Sequence, residues 1–167
     1  MSNIVYLYEY TPGVESQSKE NQKIKDELAS FRQGACPDDV KTGMTDILRK
    51  LINGETDKWT ICFVPASDLE TTISRYYDLS QHLSSQFPGC VYLNTLELSK
   101  DYDELLEEAR KITCQKQRVK GKNVAVVDYV YNTGSMFEDV EKLLLDDGAA
   151  SVEGLFVAKV VREKTTA

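Results

Sequence analysis

The sequence has little of what metal sites and disulfide frameworks require. Its one histidine, His82, has no cysteine at metal-binding spacing, and the four cysteines are widely separated with no CxxC pair. We therefore expect no zinc site. Cys62 and Cys90 lie in apolar runs and are predicted to be buried free thiols, which suit a reducing compartment. The sequence favours a fold held together by its apolar core.

Long hydrophobic runs are also missing. The first ten residues, MSNIVYLYEY, contain no basic segment and are interrupted by Glu9, so they do not resemble a signal peptide. No stretch approaches the roughly 20 consecutive apolar residues that cross a bilayer. We therefore expect a soluble, cytoplasmic protein without a membrane partner.

An excess of positive charge is absent too. The net charge is −7, which argues against a dominant nucleic-acid surface because such surfaces are usually basic. Hydrophobic residues make up 41% and charged residues 28% of the 167 positions, as in ordinary globular proteins. The chain is long enough for one domain with its own core.

Apolar periodicity predicts strands and helices in alternation. Ser67 and Glu70 match a capping box at the start of one helix. This succession implies right-handed crossovers and a three-layer α/β domain with a mainly parallel sheet, over residues 1–167. The predicted elements are strands at 4–10, 60–64, 90–93, 123–127 and 154–161, and helices at 19–31, 37–52, 67–87, 102–112 and 135–147.

The most informative segment is the predicted loop at 128–134, between a strand and a helix. Open parallel sheets bind ligands at the carboxyl ends of their strands. Gly134 allows close backbone approach, and the amides of the following helix favour a phosphate. Thr133 and Ser135 can add hydroxyl hydrogen bonds, and Asp128 can accept from sugar hydroxyls. A phosphate-binding loop and an ordinary turn between strand and helix are equally compatible with this spacing, since GxxxxGK[ST] and GxGxxG are both absent.

A family resemblance favours the phosphate-binding alternative. Residues 124–152, VAVVDYVYNTGSMFEDVEKLLLDDGAASV, are similar to the phosphoribosyl-pyrophosphate signature of type I phosphoribosyltransferases. In that signature an apolar strand leads to two acids, a Thr-Thr-Gly loop and a helix that ends in a Gly-Ala turn. The helix that bears Arg75 resembles one in competence-associated members. The resemblance implies a phosphoribosyltransferase-like fold, with a hood from residues 1–59 and a core from 60–162.

The resemblance also assigns roles by position. Asp128 matches the first acid, which contacts ribose hydroxyls, and is the candidate catalytic residue. Asn132, Thr133, Gly134 and Ser135 fall in the loop that binds the 5′-phosphate.

A second family element precedes the signature. The sequence TICFVPASD, at 60–68, resembles the strand and turn that bind pyrophosphate through backbone groups, which places Ala66 and Ser67 near that ligand. The family implies magnesium held by the ligand's pyrophosphate and ribose oxygens, with no direct protein ligand. It further implies a phosphorylated ribose or nucleotide as partner, and a homodimer is compatible with it.

Three departures from the signature leave the activity open. Tyr129 replaces the second acid, Asn132 the first loop threonine and Met136 a later hydroxyl residue. The loss of one charge-assisted hydrogen bond to the ligand weakens the binding free energy by about 1.5–3 kcal/mol. Phosphate binding withstands such a loss better than turnover does. The alternatives are a glycosyltransferase of this type that releases pyrophosphate, a non-catalytic sensor or interaction module, and a structural domain with no phosphate ligand.

A group of basic residues precedes the signature strand. It falls where the family's mobile loop closes over pyrophosphate, and cations there would stabilise the leaving group. A solvated, flexible segment and a nucleic-acid backbone site are the alternatives. The group consists of Arg110, Lys111, Lys116, Arg118, Lys120 and Lys122.

Overall fold

Strands and helices alternate along the chain in the structure, a computed structural model that describes residues 3–13, 18–66, 68–98 and 112–162. In chain order the elements are β1 (Asn3–Tyr10), α1 (Lys19–Arg32), α2 (Asp38–Ile52), β2 (Trp59–Phe63), α3 (Leu69–Gln86), β3 (Leu96–Leu98), β4 (Ile112–Cys114), α4 (Lys116–Val119), β5 (Asn123–Tyr131), α5 (Ser135–Asp146) and β6 (Ser151–Val160), with a 3-10 turn at Thr56–Lys58 before β2.

The main sheet has four strands in the order β1-β6-β5-β2, and every neighbouring pair is parallel. In β5, Val124, Ala125, Val126 and Val127 are fully buried. A strand covered on both faces needs such a continuous apolar run, because neither set of alternating side chains meets water. The predicted α/β class with a mainly parallel sheet is confirmed.

Helices cover both faces of the sheet and make three layers. On one face α1, α2 and α3 contribute Phe31, Leu48 and Tyr76, all fully buried. On the other face α5 contributes Val140 and Leu144, which are also fully buried. Each helix buries one apolar stripe against the strands. Within the described part of the chain, no helix has the length and apolar character needed to cross a bilayer.

The N-terminal third belongs to the main sheet. Residues 1–59 were predicted to form a hood, but β1 pairs with β6 at the sheet edge, from Asn3 opposite Glu153 to Tyr10 opposite Val160. The helices α1 and α2 pack against the same sheet. The residues assigned to a hood therefore supply an edge strand and part of a covering layer, because strand pairing depends on contacts that local patterns do not specify.

Two short pieces of strand differ from the prediction. The strand expected at 90–93 is reduced to a parallel bridge between Val91 and Ile61, because the chain then turns away from the sheet edge. An unpredicted antiparallel pair joins β3 and β4, with Leu96 opposite Cys114. Strands of three residues carry too little periodicity to be recognised. Of the helix predicted at 102–112, residues up to 111 lie outside the described residues, and Ile112 begins β4.

The start of α3 is capped one residue later than predicted. Ser67, the expected cap, lies outside the described residues. The observed cap is Asp68, whose side chain accepts a 2.7 Å hydrogen bond from the Thr71 backbone N–H. A carboxylate at this position also suits the positive end of the helix dipole.

Candidate functional site

The strand β5 continues past its predicted end at residue 127, to Tyr131. It stays paired with β6 there, with Asp128 opposite Phe156 and Val130 opposite Ala158. Asp128 was predicted to lie in the loop and instead lies in the strand. The prediction was wrong because Asp128 and Tyr129 broke the apolar run, while backbone pairing with β6 carries the strand onward. The loop shortens to 132–134.

The short loop leads directly into the N-terminus of α5. Gly134 caps the helix with a φ of +84°, a left-handed conformation that glycine adopts without strain. Asn132, Thr133 and Ser135 are exposed. The Thr133 and Ser135 hydroxyl oxygens lie 3.0 Å apart, so both side chains point to the same region. Together with the first amides of α5, they form a set of donors that can face an anion.

The side chain of Tyr131 covers this loop. A Cβ atom placed on Gly134 would lie 2.9 Å from the Tyr131 Cζ atom, and the Tyr131 hydroxyl is nearer still. The ring is held edge-on to Phe156, with centroids 5.0 Å apart. A small cavity of about 110 Å³ remains, lined by Asp128, Tyr131 and the loop. Tyr131 was not predicted to belong to the site, since nothing in the local pattern shows that its ring folds back over the glycine.

This contact makes Gly134 a sensitive position. We expect Gly134→Ala to destabilise the fold by about 1 kcal/mol more than Gly54→Ala. Alanine at either position is strained by the left-handed φ, and at Gly134 the added Cβ would also press against the Tyr131 ring. Both glycines have a left-handed φ, but a Cβ at Gly54 would meet nothing within 4 Å. Urea unfolding of the two variants measures the difference. In a Tyr131→Leu background the two losses should become equal, and equal losses in the parent protein would contradict the close contact.

The carboxylate of Asp128 is bound by two donors at one oxygen. The Tyr76 hydroxyl donates to Oδ1 at 3.1 Å, and the Tyr129 backbone N–H donates to the same atom at 2.7 Å. Burial raises the pKa of Asp128 from 3.8 to about 6, while these two bonds and the charge of Arg75 act against the rise. Burial also raises the pKa of Tyr76 well above its usual value, so Tyr76 remains a donor. A carboxyl group with a pKa near neutrality can accept hydrogen bonds and exchange protons.

Tyr129, which the resemblance aligns with the second acid, lies close to two arginines. The Arg75 guanidinium lies 4.8 Å from the centre of the Tyr129 ring and that of Arg32 lies 5.5 Å from it. The Arg32 Nη2 group also donates to the Tyr129 hydroxyl at 3.2 Å. The ring stacks on Phe31, with centroids 6.4 Å apart. Two cations therefore lie beside Tyr129, and local sequence patterns could not place Arg32 here.

Of the two residues predicted to lie near pyrophosphate, Ala66 follows β2 and Ser67 falls outside the described residues. The Ala66 backbone N–H donates to the Thr72 hydroxyl oxygen at 2.8 Å. The Thr72 hydroxyl in turn donates to the Asp68 carbonyl at 2.8 Å. The Ala66 amide is thus already satisfied within the protein.

The described members of the basic group lie near the amino ends of the parallel strands, whereas the loop at 132–134 lies at their carboxyl ends. Lys122 comes directly before β5 and bonds to the backbone just before β2. The strand β5 has nine residues and rises by about 3.3 Å per residue, so its amino end is more than about 25 Å from the loop at its carboxyl end. Lys116 forms an ion pair with Asp147, and the Arg118 guanidinium donates a hydrogen bond to the Asn94 side chain. Lys120 lies beside Gly148, and Lys122 donates to the Asp57 carbonyl. These four residues do not line the loop, and Arg110 and Lys111 lie outside the described residues.

No family model matches the chain, and no curated protein gives a significant match. Among solved structures, the chain is similar to a purine phosphoribosyltransferase from Pyrococcus horikoshii OT3, with 16% sequence identity and a TM-score of 0.46. The match covers 98% of this chain and 96% of that chain. Similarity at this level does not identify a ligand or an activity for this chain.

Proposed function

We propose that this chain is a phosphoribosyltransferase-like protein that binds phosphoribosyl pyrophosphate or a nucleotide monophosphate at the carboxyl end of β5. The main support for the proposal is that donors for an anion and an acceptor for hydroxyl groups lie side by side at the carboxyl end of β5. The Thr133 and Ser135 hydroxyls and the helix N-terminus form a set of anion donors, and Asp128 supplies an acceptor beside them. A phosphorylated ribose presents the matching groups, a phosphate and vicinal hydroxyls.

Each group in the site has a role in this binding. The Gly134 amide and the first amides of α5 would hold the phosphate, because the positive end of α5 favours an anion. The Ser135 N–H would exchange its 3.4 Å bond to the Thr133 hydroxyl oxygen for a bond to the phosphate. The Asp128 carboxylate would accept from ribose hydroxyls, while Tyr76 and the Tyr129 N–H hold it in place. In a transfer reaction, a nitrogen nucleophile forms a bond to the sugar carbon as the bond to pyrophosphate breaks, and the nitrogen proton passes to solvent.

Magnesium fits this site only as an ion carried by the ligand. Among the described residues, no three histidine, cysteine or acidic side chains are grouped so that they could hold a metal. Asp128 is the one acid among the described residues that line the cavity, and its Oδ1 atom already accepts two hydrogen bonds. Asp128 would accept from a water in the ion's shell. When bound, the ion would supply positive charge to the pyrophosphate group.

Two observations favour binding without efficient turnover. By the resemblance, Tyr129 stands in the place of the second acid, and the Ala66 amide is engaged by Thr72. The site therefore has one carboxylate fewer for the ribose and its magnesium shell, and one free amide fewer for pyrophosphate, than the resemblance implies. A non-catalytic sensor of phosphorylated ribose is the second candidate function, and it shares the binding site with the first.

Calorimetric titration with ribose 5-phosphate tests the proposal. We expect the double variant Thr133→Ala, Ser135→Ala to bind at least about a hundredfold more weakly than the parent, because each of the two hydroxyl bonds to a charged group contributes about 1.5–3 kcal/mol. Ser85→Ala, an exposed serine on α3, should bind like the parent. Unmodified ribose should bind far more weakly than ribose 5-phosphate.

The outcomes separate the candidate functions. Equal affinity in the parent and the double variant would show that the loop does not hold the phosphate. Pyrophosphate release from phosphoribosyl pyrophosphate, measured with a panel of nucleobases, distinguishes a transferase from a sensor. Binding without release would support the sensor.

A further inference from the structure

A second cavity, of about 380 Å³, lies on the α1 side of the sheet. Its walls come from the end of β1, the turn that follows β1, one face of α1 and the end of β5. Among the described residues, Val130 is the one that borders both this cavity and the small cavity at the loop. The volume falls within the range of about 300–1,000 Å³ that is typical of small-molecule sites.

The charge of this cavity is positive. Lys25 and Arg32 line it, and no aspartate or glutamate is among its described lining residues, although the whole chain carries a net charge of −7. The two cations are seven residues apart on α1 and therefore lie on the same helical face. Within the described part of the chain neither cation forms an ion pair, and Lys25 donates instead to the Gly13 carbonyl.

The cavity also has aromatic walls, and one of the two rings is already fixed in position. Tyr10 and Tyr129 line it, and Leu28 adds an apolar surface. The Tyr129 ring is held by its stacking on Phe31 and by the Arg75 guanidinium 4.8 Å from its centre. A rigid ring loses little conformational entropy when a ligand packs against it.

The guanidinium of Arg32 retains donors for a ligand. Its Nη2 group donates to the Tyr129 hydroxyl at 3.2 Å. A guanidinium has five N–H donors in a planar fork, so one such bond leaves donors suited to a phosphate or carboxylate. The hydrogen bond to Tyr129 also fixes the orientation of the fork.

We propose that this cavity binds a small organic anion that carries a flat ring. Its anionic group would pair with Arg32 and Lys25, and its ring would lie against Tyr10, Tyr129 and Leu28. The proposal does not depend on the function of the loop at 132–135, because Val130 is the one described lining residue that the two cavities share.

Phenyl phosphate is a suitable probe because it combines one ring with one compact anion. We expect calorimetric titration to show binding to the parent protein, with weaker binding of phenol and of inorganic phosphate. Arg32→Gln and Lys25→Gln should each weaken phenyl phosphate binding about tenfold, as expected from the loss of one charge-assisted bond. Arg32 is exposed, so its replacement should leave the fold intact.

Lys23→Gln is the matched control. Lys23 lies on the same helix and carries the same charge, but it pairs with Asp39 and does not line the cavity. It should change the affinity less than twofold. A Lys23→Gln loss equal to that of Arg32→Gln would assign the effect to general charge and overturn the proposal, as would the absence of phenyl phosphate binding to the parent.

The loop variant separates this proposal from the proposed function. The double variant Thr133→Ala, Ser135→Ala should keep its affinity for phenyl phosphate while it loses affinity for ribose 5-phosphate. If it loses phenyl phosphate instead, the probe binds at the loop and the second site does not exist. Lys25→Gln should show the reverse pattern, because Lys25 lines the larger cavity and does not line the cavity at the loop.

Discussion

Replacing Asp128 with asparagine should stabilise the folded protein at pH 7 and weaken its binding of phosphorylated ribose. Burial raises the pKa of Asp128 from 3.8 to about 6, so the folded state pays to ionise this group. A change of that size corresponds to about 3 kcal/mol, and the partial exposure of Asp128 reduces our expectation to about 2 kcal/mol. Asparagine keeps an oxygen that can accept from Tyr76 and carries no charge.

The stabilisation expected for Asp128→Asn should increase as the pH rises from 4 to 7. Between pH 4 and pH 6 the folded protein holds a proton at Asp128 that the unfolded chain has released. Unfolding then releases protons, and the free energy of unfolding contributed by Asp128 falls as the pH rises through this window. The Asp128→Asn variant lacks this fall, so its advantage should be large at pH 7 and small at pH 4.

Urea unfolding at a series of pH values measures this effect. Asp139→Asn on α5 is the control, because Asp139 is exposed and carries the same charge. In calorimetry, Asp128→Asn should weaken ribose 5-phosphate binding by about 1.5–3 kcal/mol, through loss of a charge-assisted acceptor. A variant that is destabilised equally at pH 4 and pH 7 would show that Asp128 is not the buried group we describe.

Replacing Tyr129 with aspartate should have two large effects of opposite kind. The fold should lose about 3 kcal/mol of stability, because the partly buried ring packs on Phe31 and contacts two guanidiniums. Binding of phosphoribosyl pyrophosphate in the presence of magnesium should strengthen about tenfold, since the variant restores the second acid beside Asp128.

Tyr129→Asn separates these two effects. It removes the same ring without adding a charge, so it should be destabilised to a similar extent and show no gain in magnesium-dependent affinity. Titrations of the parent and both variants, with and without magnesium, make the comparison. Equal affinity of Tyr129→Asp and Tyr129→Asn for phosphoribosyl pyrophosphate in the presence of magnesium would show that a second acid has no effect in this chain. The interpretation of the site as a modified form of the family signature would then be wrong.

The sequence by itself determined the local parts of this site. Val124–Val127 form a continuous apolar run, and Gly134 stands where a strand end must turn into a helix. Ser18 caps α1 as its side-chain chemistry requires, accepting from the Asn21 backbone N–H at 3.1 Å. Burial periodicity and capping involve residues a few positions apart, so they can be recognised without knowledge of the rest of the fold.

Sequence patterns were less successful where a boundary depends on a partner strand. The end of β5 was placed too early, because Asp128 does not fit an apolar run although its backbone pairs with β6. The short strands β3 and β4 were not recognised for the same reason. Their pairing partners lie elsewhere in the chain, and three residues contain less than two full periods of alternation.

The tertiary structure alone decided the chemistry around Asp128. Tyr76 bonds to Asp128 across 52 positions of sequence, and Arg32 bonds to Tyr129 across 97 positions. It also placed β1 in the main sheet and turned the Ala66 amide toward Thr72. Such contacts depend on which strands pair and which helices pack together, and that choice minimises the free energy of the whole chain. Residue types and spacing specify which groups are available, whereas long-range packing determines which of them meet.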